Sequence, residues 1–190
     1  MIVAALLLTA IHGAPAPDPL APARKGMVQC RGPREGKLCA AIVSYTLQPD
    51  GSYNSLTRFM LSEDPEIVVE SPATVRVENG LVCDHNFHLK GIGSRLIYEG
   101  QTVSKGSKLS ISVHEQMDPG YAQYEGKLVC GRYEAKGDVM RSTILIDGVP
   151  EAESETEAAM DGSFIWVQPE GYRLAPPPGS TSSKKKHSPR

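Results

Sequence analysis

The chain has 190 residues, a formal net charge of −2 and 40% apolar residues, with 18 Gly, 15 Pro and four Cys. This length and composition indicate one turn-rich globular domain. They exclude a large multidomain enzyme, a coiled coil and a strongly basic protein that binds nucleic acid.

The chain begins with an apolar run at residues 2–11, followed by small residues and prolines. As a helix this run would span about 15 Å, half of a bilayer core, which is too short to cross a membrane. Its length is typical of the hydrophobic region of a signal peptide, although no Lys or Arg precedes it. We predict a signal peptide over 1–16 and a periplasmic or secreted protein; a buried N-terminal strand or helix is the alternative.

Two segments flank the predicted domain at 27–174. Residues 17–26 are rich in proline, which excludes a helix, and we predict a linker there. Residues 175–190 contain Pro, Ser and Lys without large apolar side chains, which predicts a disordered tail. The tail carries four positive charges, so the rest of the chain has a net charge of −6. It either touches anionic surfaces weakly or, as we favour, keeps the protein soluble.

Most of the domain has the two-residue periodicity of β-strands, with turn sequences in between. The pattern predicts strands at 38–47, 53–61, 66–70, 74–78, 81–83, 127–133, 139–146 and 164–168. About eight short strands are typical of an antiparallel sheet that folds as a sandwich or a barrel. We therefore expect a mainly β single domain, all-β or α+β, with at most one or two short helices.

Two segments have no single interpretation. Leu109, Ile111 and Val113 alternate with polar residues, which favours a strand within 107–123. Alternatively, Ser107 begins a helix that runs to Gln116 and ends before Pro119. The acid-rich stretch 151–159 suits a short surface helix or a loop.

The four cysteines form an even set in a chain predicted to be exported, so we expect two disulfides. Three pairings exist. Cys30 and Cys39 enclose a short loop whose Gly and Pro permit a tight return, and Cys83 with Cys130 would then join two strands. We favour this pairing over a metal site, because no C-x-x-C pair is present.

Asp84, His85 and His88 form the densest group of metal-ligand side chains. They are weak candidates for a metal site or for a small hydrolase, and surface histidines are the favoured alternative. His114 and Glu115 form a second pair, with no nucleophile beside them in the sequence. The motifs G-x-S-x-G, G-x-G-x-x-G and the Walker loop are absent. We predict no cofactor, no metal and no assigned catalytic residue.

Trp166 is the only tryptophan and a weak candidate for ligand binding. As an exposed side chain it would stack on a sugar or a peptide. Because Ile165 and Val167 lie on the opposite face of the predicted strand, a core position is favoured.

Several stretches carry a resemblance: DPLAPARKG before Cys30, AAIVSYTLQPDGSY after Cys39, GLVC at 80–83, GKLVCGRY at 126–133, ILIDGVPE at 144–151 and FIWVQPEGYRLAPP at 164–177. In their order they resemble a family of small, exported, uncharacterised alphaproteobacterial proteins. The resemblance implies export, two cysteine pairs and a C-terminal strand that contains Trp and Tyr. It implies no activity and no cofactor.

These observations predict a non-enzymatic protein of the cell envelope that binds or shields another molecule. A small periplasmic hydrolase and a metal-handling domain, both using the region of His85 and His88, are the alternatives. We expect no specific binding of nucleic acid.

Overall fold

A computed structural model describes residues 18–85, 87, 93–151 and 162–176. The strands are β1 (Val28–Arg34), β2 (Leu38–Leu47), β3 (Tyr53–Glu63), β4 (Glu66–Glu78), β5 (Leu81–Asp84), β6 (Arg95–Tyr98), β7 (Gln101–Thr102), β8 (Val129–Lys136), β9 (Val139–Ile146), β10 (Val149–Pro150), β11 (Ser163–Val167) and β12 (Arg173–Leu174). In these residues one α-helix, α1, spans Lys108–Tyr121, and short 3-10 helices span Ala23–Lys25 and Ala122–Tyr124. The predicted signal peptide and nearly all of the predicted tail lie outside the described residues, as does most of the acid-rich stretch.

Eight of the strands close into an antiparallel barrel. Their order around the barrel is β1, β2, β3, β4, β5, β8, β9 and β11, and β11 pairs again with β1. The short β6 and β7 extend the sheet from β4, β10 pairs with β9, and β12 runs parallel to β2. The mainly β, antiparallel fold is therefore confirmed, and the sheet closes as a barrel.

The β4 strand is continuous over 13 residues, whereas the sequence predicted two strands on either side of Pro72. That prediction is wrong. Pro72 lies opposite Leu56 of β3, within a stretch that has no second neighbour, because β6 pairs with 67–70 and β5 pairs with 76–78. The missing N–H of proline therefore costs no hydrogen bond to a second strand.

The helical alternative for 107–123 is correct. Ser107 adopts an extended backbone, and its hydroxyl accepts a hydrogen bond from the N–H of Ser110 at 3.1 Å, as an N-cap residue does. The helix continues beyond Gln116 to Tyr121, with Pro119 inside its last turn. Among the described residues, no helix is long and apolar enough to cross a membrane.

The segment that the sequence predicted as a linker packs against the barrel. Leu20 is completely buried and belongs to one hydrophobic cluster with Tyr53, Val75 and Val82, at the end of the barrel where the β2–β3 and β4–β5 turns lie. Asp18 accepts hydrogen bonds from the N–H of Leu20 at 2.8 Å and from the Tyr53 hydroxyl at 3.2 Å. The prolines prevent a long helix, but they are compatible with this turn and its 3-10 helix.

Both favoured disulfides are present. Cys30–Cys39 joins β1 to β2, and Cys83–Cys130 joins directly opposed residues of β5 and β8. All four cysteines are buried, and none is free. The two predicted pairings are therefore the ones that the structure contains.

Candidate functional site

The barrel interior contains four hydrogen-bonded polar side chains, Gln29, Arg31, Tyr45 and Tyr133, which we call the polar cluster. Gln29 and Arg31 alternate along β1, so both point to one side of the sheet. Nε and Nη2 of Arg31 donate to Oε1 of Gln29 at 3.3 and 3.2 Å, and Nη2 also donates to the Tyr133 hydroxyl at 3.4 Å. The Tyr45 hydroxyl donates to the same Oε1 at 3.3 Å. The amide oxygen of Gln29 therefore joins Arg31 to Tyr45, and the Tyr133 hydroxyl, 3.3 Å from that of Tyr45, completes the cluster.

Aromatic rings of β11 enclose this cluster. Phe164 lies directly opposite Arg31, and the guanidinium carbon lies 5.7 Å from the centre of its ring. The ring of Tyr133 meets Phe164 edge-on at 4.9 Å, and Trp166 lies 6.1 Å from Tyr45. A guanidinium over an aromatic face is stabilised by cation–π attraction, so Phe164 holds the plane of Arg31.

The polar cluster carries one positive charge. Burial lowers the pKa of Arg31, but the phenols of Tyr133 and Tyr45 outweigh it, so that the pKa lies above its usual value. Burial, together with Tyr133, raises the pKa of Tyr45 well above its usual value, so this phenol is neutral near pH 7. Among the described residues, no carboxylate lies within ion-pair distance of Arg31. The charge is thus not neutralised by the barrel.

Two buried polar atoms near this cluster lack a hydrogen-bond partner. They are Nε2 of Gln29 and the hydroxyl of Ser142, which lies directly opposite Tyr133. No others occur in the described part of the chain. Because nearly all buried polar groups in native proteins are paired, each exception requires an explanation.

A cleft of about 770 Å³ lies along β3 and β4 and is completed by Asp84, Phe87, Gly93 and Tyr121. Its strand residues on the interior side are mostly small, and the register identifies them. Gln29 lies opposite Val43, Val43 opposite Thr57, and Thr57 opposite Ser71. Directly opposed residues point to the same side of a sheet, so Thr57 and Ser71 share the interior face with Gln29.

The cleft borders the polar cluster at Ser55, although none of the four cluster residues lines the cleft itself. This residue lines the cleft and lies directly opposite Tyr45 in the β2–β3 pair. Cβ atoms of such pairs are about 4.5–5.5 Å apart. The volume also falls in the range of about 300–1,000 Å³ that is typical of small-molecule sites.

The structure separates the candidates for a metal site. His85 is exposed, and its Nε2 lies 2.7 Å from Oε1 of Glu78. Asp84 lines the cleft at the end of β5, and His88 lies outside the described residues. Within the described ranges, no three metal-ligand side chains are grouped. Trp166 is half-buried in β11, packed among the interior aromatic rings and not exposed as a platform.

His114 has a nucleophile beside it that the sequence did not indicate. Its Nδ1 lies 2.6 Å from the carbonyl oxygen of Ser110 and therefore carries the proton, so Nε2 accepts from the Ser94 hydroxyl at 2.8 Å. This arrangement has the geometry of a serine–histidine pair. However, Ser94 is only 3% exposed, which leaves no room for a substrate at its hydroxyl. The pair anchors α1.

No protein family, no curated protein and no solved structure matches this chain. The class of this protein is therefore described from its fold and its candidate site alone. It is an eight-stranded antiparallel barrel with two disulfides, a cleft along one wall and a charged polar cluster inside.

Proposed function

We propose that this protein is an exported, non-enzymatic binding protein that holds a small molecule in the cleft along β3 and β4. The cleft itself is the observation that supports this function most directly. In many eight-stranded barrels large side chains fill the interior, and in others the interior holds one small ligand. Here Ser71 and Ala73 are small and leave space for a ligand. The body of the ligand would lie against this wall.

The disulfides support export. Disulfides persist in oxidising compartments and are rare in the cytosol, and here all four cysteines are paired and buried. Together with the predicted signal peptide, they lead us to propose the periplasm as the location. The resemblance to small exported alphaproteobacterial proteins agrees with this proposal.

Two features of the described residues favour binding over catalysis. The hydroxyl of Ser94, next to His114, is enclosed by the protein. His85 is on the surface and pairs with Glu78. Its ring has no nucleophile as a hydrogen-bond partner in the described part of the chain. A catalytic serine must reach its substrate, which Ser94 does not, and a catalytic histidine needs a group to activate, which His85 lacks among the described residues.

A neutral fluorescent probe, phenylnaphthylamine, tests the function. We expect the folded wild-type domain to bind the probe and enhance its fluorescence. Ser71→Phe should fill the cleft and weaken binding at least about tenfold. The matched control, Ser112→Phe, places the same ring on the exposed face of α1 and should bind as wild type does.

Circular dichroism and thermal unfolding of both variants show whether they are folded. If the wild-type protein does not enhance the fluorescence of the probe, the binding function is wrong. If a folded Ser71→Phe variant binds the probe as tightly as wild type, the cleft is not the site.

A further inference from the structure

We infer that the ligand of this barrel carries an anionic oxygen group, such as a carboxylate, which Arg31 binds. This inference rests on the proposed binding function and names the chemical class of the ligand. The argument comes from the polar cluster inside the barrel and from Ser55, which lines the cleft and lies directly opposite Tyr45 of the cluster.

The first step concerns charge. Arg31 is held in the interior of the barrel, where water screens charges weakly, and no described carboxylate lies beside it. Arg31 is half-buried, and withdrawing part of an unpaired charge from water is unfavourable. A bound anion would offset this cost, whereas a cationic ligand would increase it.

The second step concerns hydrogen bonds. The cluster has more donors than acceptors, since Gln29 provides one amide oxygen that already accepts from Arg31 and Tyr45. Nε2 of Gln29 and the hydroxyl of Ser142 have no partner. The Nη1 atom of Arg31 also makes no hydrogen bond within the described residues. A group that completes this set must accept hydrogen bonds, as carboxylate oxygens do.

The third step concerns the orientation of Arg31. Gln29 holds the edge of the guanidinium that contains Nε and Nη2, and Phe164 holds its plane. Within the described ranges the Nη1 edge has no hydrogen-bond partner, and it is not one of the two fully buried unpaired atoms, so it remains accessible. A side chain fixed in this way loses little conformational entropy when a ligand binds, which favours affinity.

The surroundings indicate what else the ligand contains. Phe164 and Trp166 line the interior beside the charge, and Ser55, Thr57 and Ala73 leave space along the opposite wall. An anion with an apolar body satisfies both parts of the site. A free inorganic ion would leave the apolar part unused.

Two fluorescent probes of similar shape separate the charge from the binding function. Anilinonaphthalene sulfonate is anionic, and phenylnaphthylamine is neutral. We expect Arg31→Met to weaken binding of the anionic probe at least about tenfold and to change binding of the neutral probe less than about twofold. The control, Arg132→Met, removes an exposed arginine of the same barrel and should change neither.

A second measurement needs no variant. Dodecanoate and dodecanol compete for the neutral probe on the wild-type protein, and we expect the acid to displace it at least about tenfold more strongly than the alcohol. Quenching of the single Trp166 reports the same event. Equal displacement, or equal loss of both probes in a folded Arg31→Met protein, overturns the anionic ligand and leaves the binding function intact. If neither probe binds the wild-type protein, the binding function itself fails, and water alone completes the polar cluster.

Discussion

The Ser94 hydroxyl lies 2.8 Å from Nε2 of His114, and this bond joins the residue before β6 to the middle of α1. Of the residues in α1, only Ser110 is buried. The bonds of Ser110 are with Ser107 and His114 of the same segment, so the bond from His114 to Ser94 is the polar contact that ties the middle of the helix to the residues before β6. Loss of the Ser94–His114 bond should therefore lower the stability of the protein.

Ser94→Ala should lower the free energy of unfolding by about 1–2 kcal/mol, because Nε2 of His114 loses its only hydrogen-bond partner in the described structure. Urea unfolding followed by circular dichroism measures the loss. Ser112→Ala, at an exposed serine of the same helix, is the matched control and should change stability by less than about 0.5 kcal/mol.

The same serine tests the absence of catalysis. A fluorophosphonate reacts with activated serine nucleophiles, and we expect it to leave the folded protein unlabelled because Ser94 is enclosed. Peptide mass spectrometry after the reaction identifies any label. Labelling of Ser94 that Ser94→Ala abolishes would contradict the non-enzymatic function.

Leu20→Ala should destabilise the barrel by about 2–5 kcal/mol, since it removes a completely buried side chain from the hydrophobic cluster that contains Tyr53 and Val75. Thermal and urea unfolding measure this effect. Leu47→Ala removes the same atoms from an exposed position on β2 and should cost less than about 0.5 kcal/mol. Equal effects of the two substitutions would show that the N-terminal segment does not close the barrel in solution.

The two disulfides should contribute unequally. Cys83 and Cys130 are 47 residues apart, whereas Cys30 and Cys39 are nine apart. Loop entropy predicts stabilisation by about 4 kcal/mol for the longer loop and about 2.6 kcal/mol for the shorter one. Paired Cys→Ala variants, compared by urea unfolding, should show the larger loss for Cys83 and Cys130. Intact-mass measurement with and without reductant verifies that the wild-type protein contains both bonds.

Tyr45 should make the protein sensitive to alkaline pH. Its pKa in the folded state lies well above the usual 10.0, mainly because it is buried. The neutral phenol is therefore favoured by folding, and its contribution to stability is complete below about pH 10 and is lost as the pH rises toward the folded-state pKa. Tyr45→Phe should reduce this loss when unfolding is measured between about pH 8 and pH 11, whereas Tyr98→Phe, at an exposed ring, should leave it unchanged.

Local sequence patterns predicted best those strands whose two ends are marked by turn residues. The β2 and β9 strands begin and end where the sequence predicted, because runs of β-branched and aromatic residues are bounded by turn residues. The prediction of β4 was wrong at Pro72, because a proline removes no hydrogen bond to a second strand where the strand has only one neighbour. Whether a strand has a second neighbour depends on the closed sheet and is not encoded locally.

The candidate site depended on contacts that no local pattern reveals. Gln29 and Arg31 alternate with apolar residues and would be assigned to a solvent-facing side of β1. Closure of the barrel instead turns this side inward, beside Tyr133, which is about a hundred residues away in the sequence. The pair of Ser94 and His114 was missed for the same reason. Buried polar clusters of this kind are found only when the topology is known.

The Cys83–Cys130 bond also separates the strands of the barrel from the region between the two cysteines. All eight strands of the barrel and the polar cluster lie outside the loop that this bond closes, apart from the last residue of β5 and the first of β8. The region between the two cysteines contains β6, β7 and α1, and the disulfide joins its two ends. We expect a protein in which a short turn replaces this region to keep the eight barrel strands paired and to lose Phe87, Gly93 and Tyr121 from the cleft.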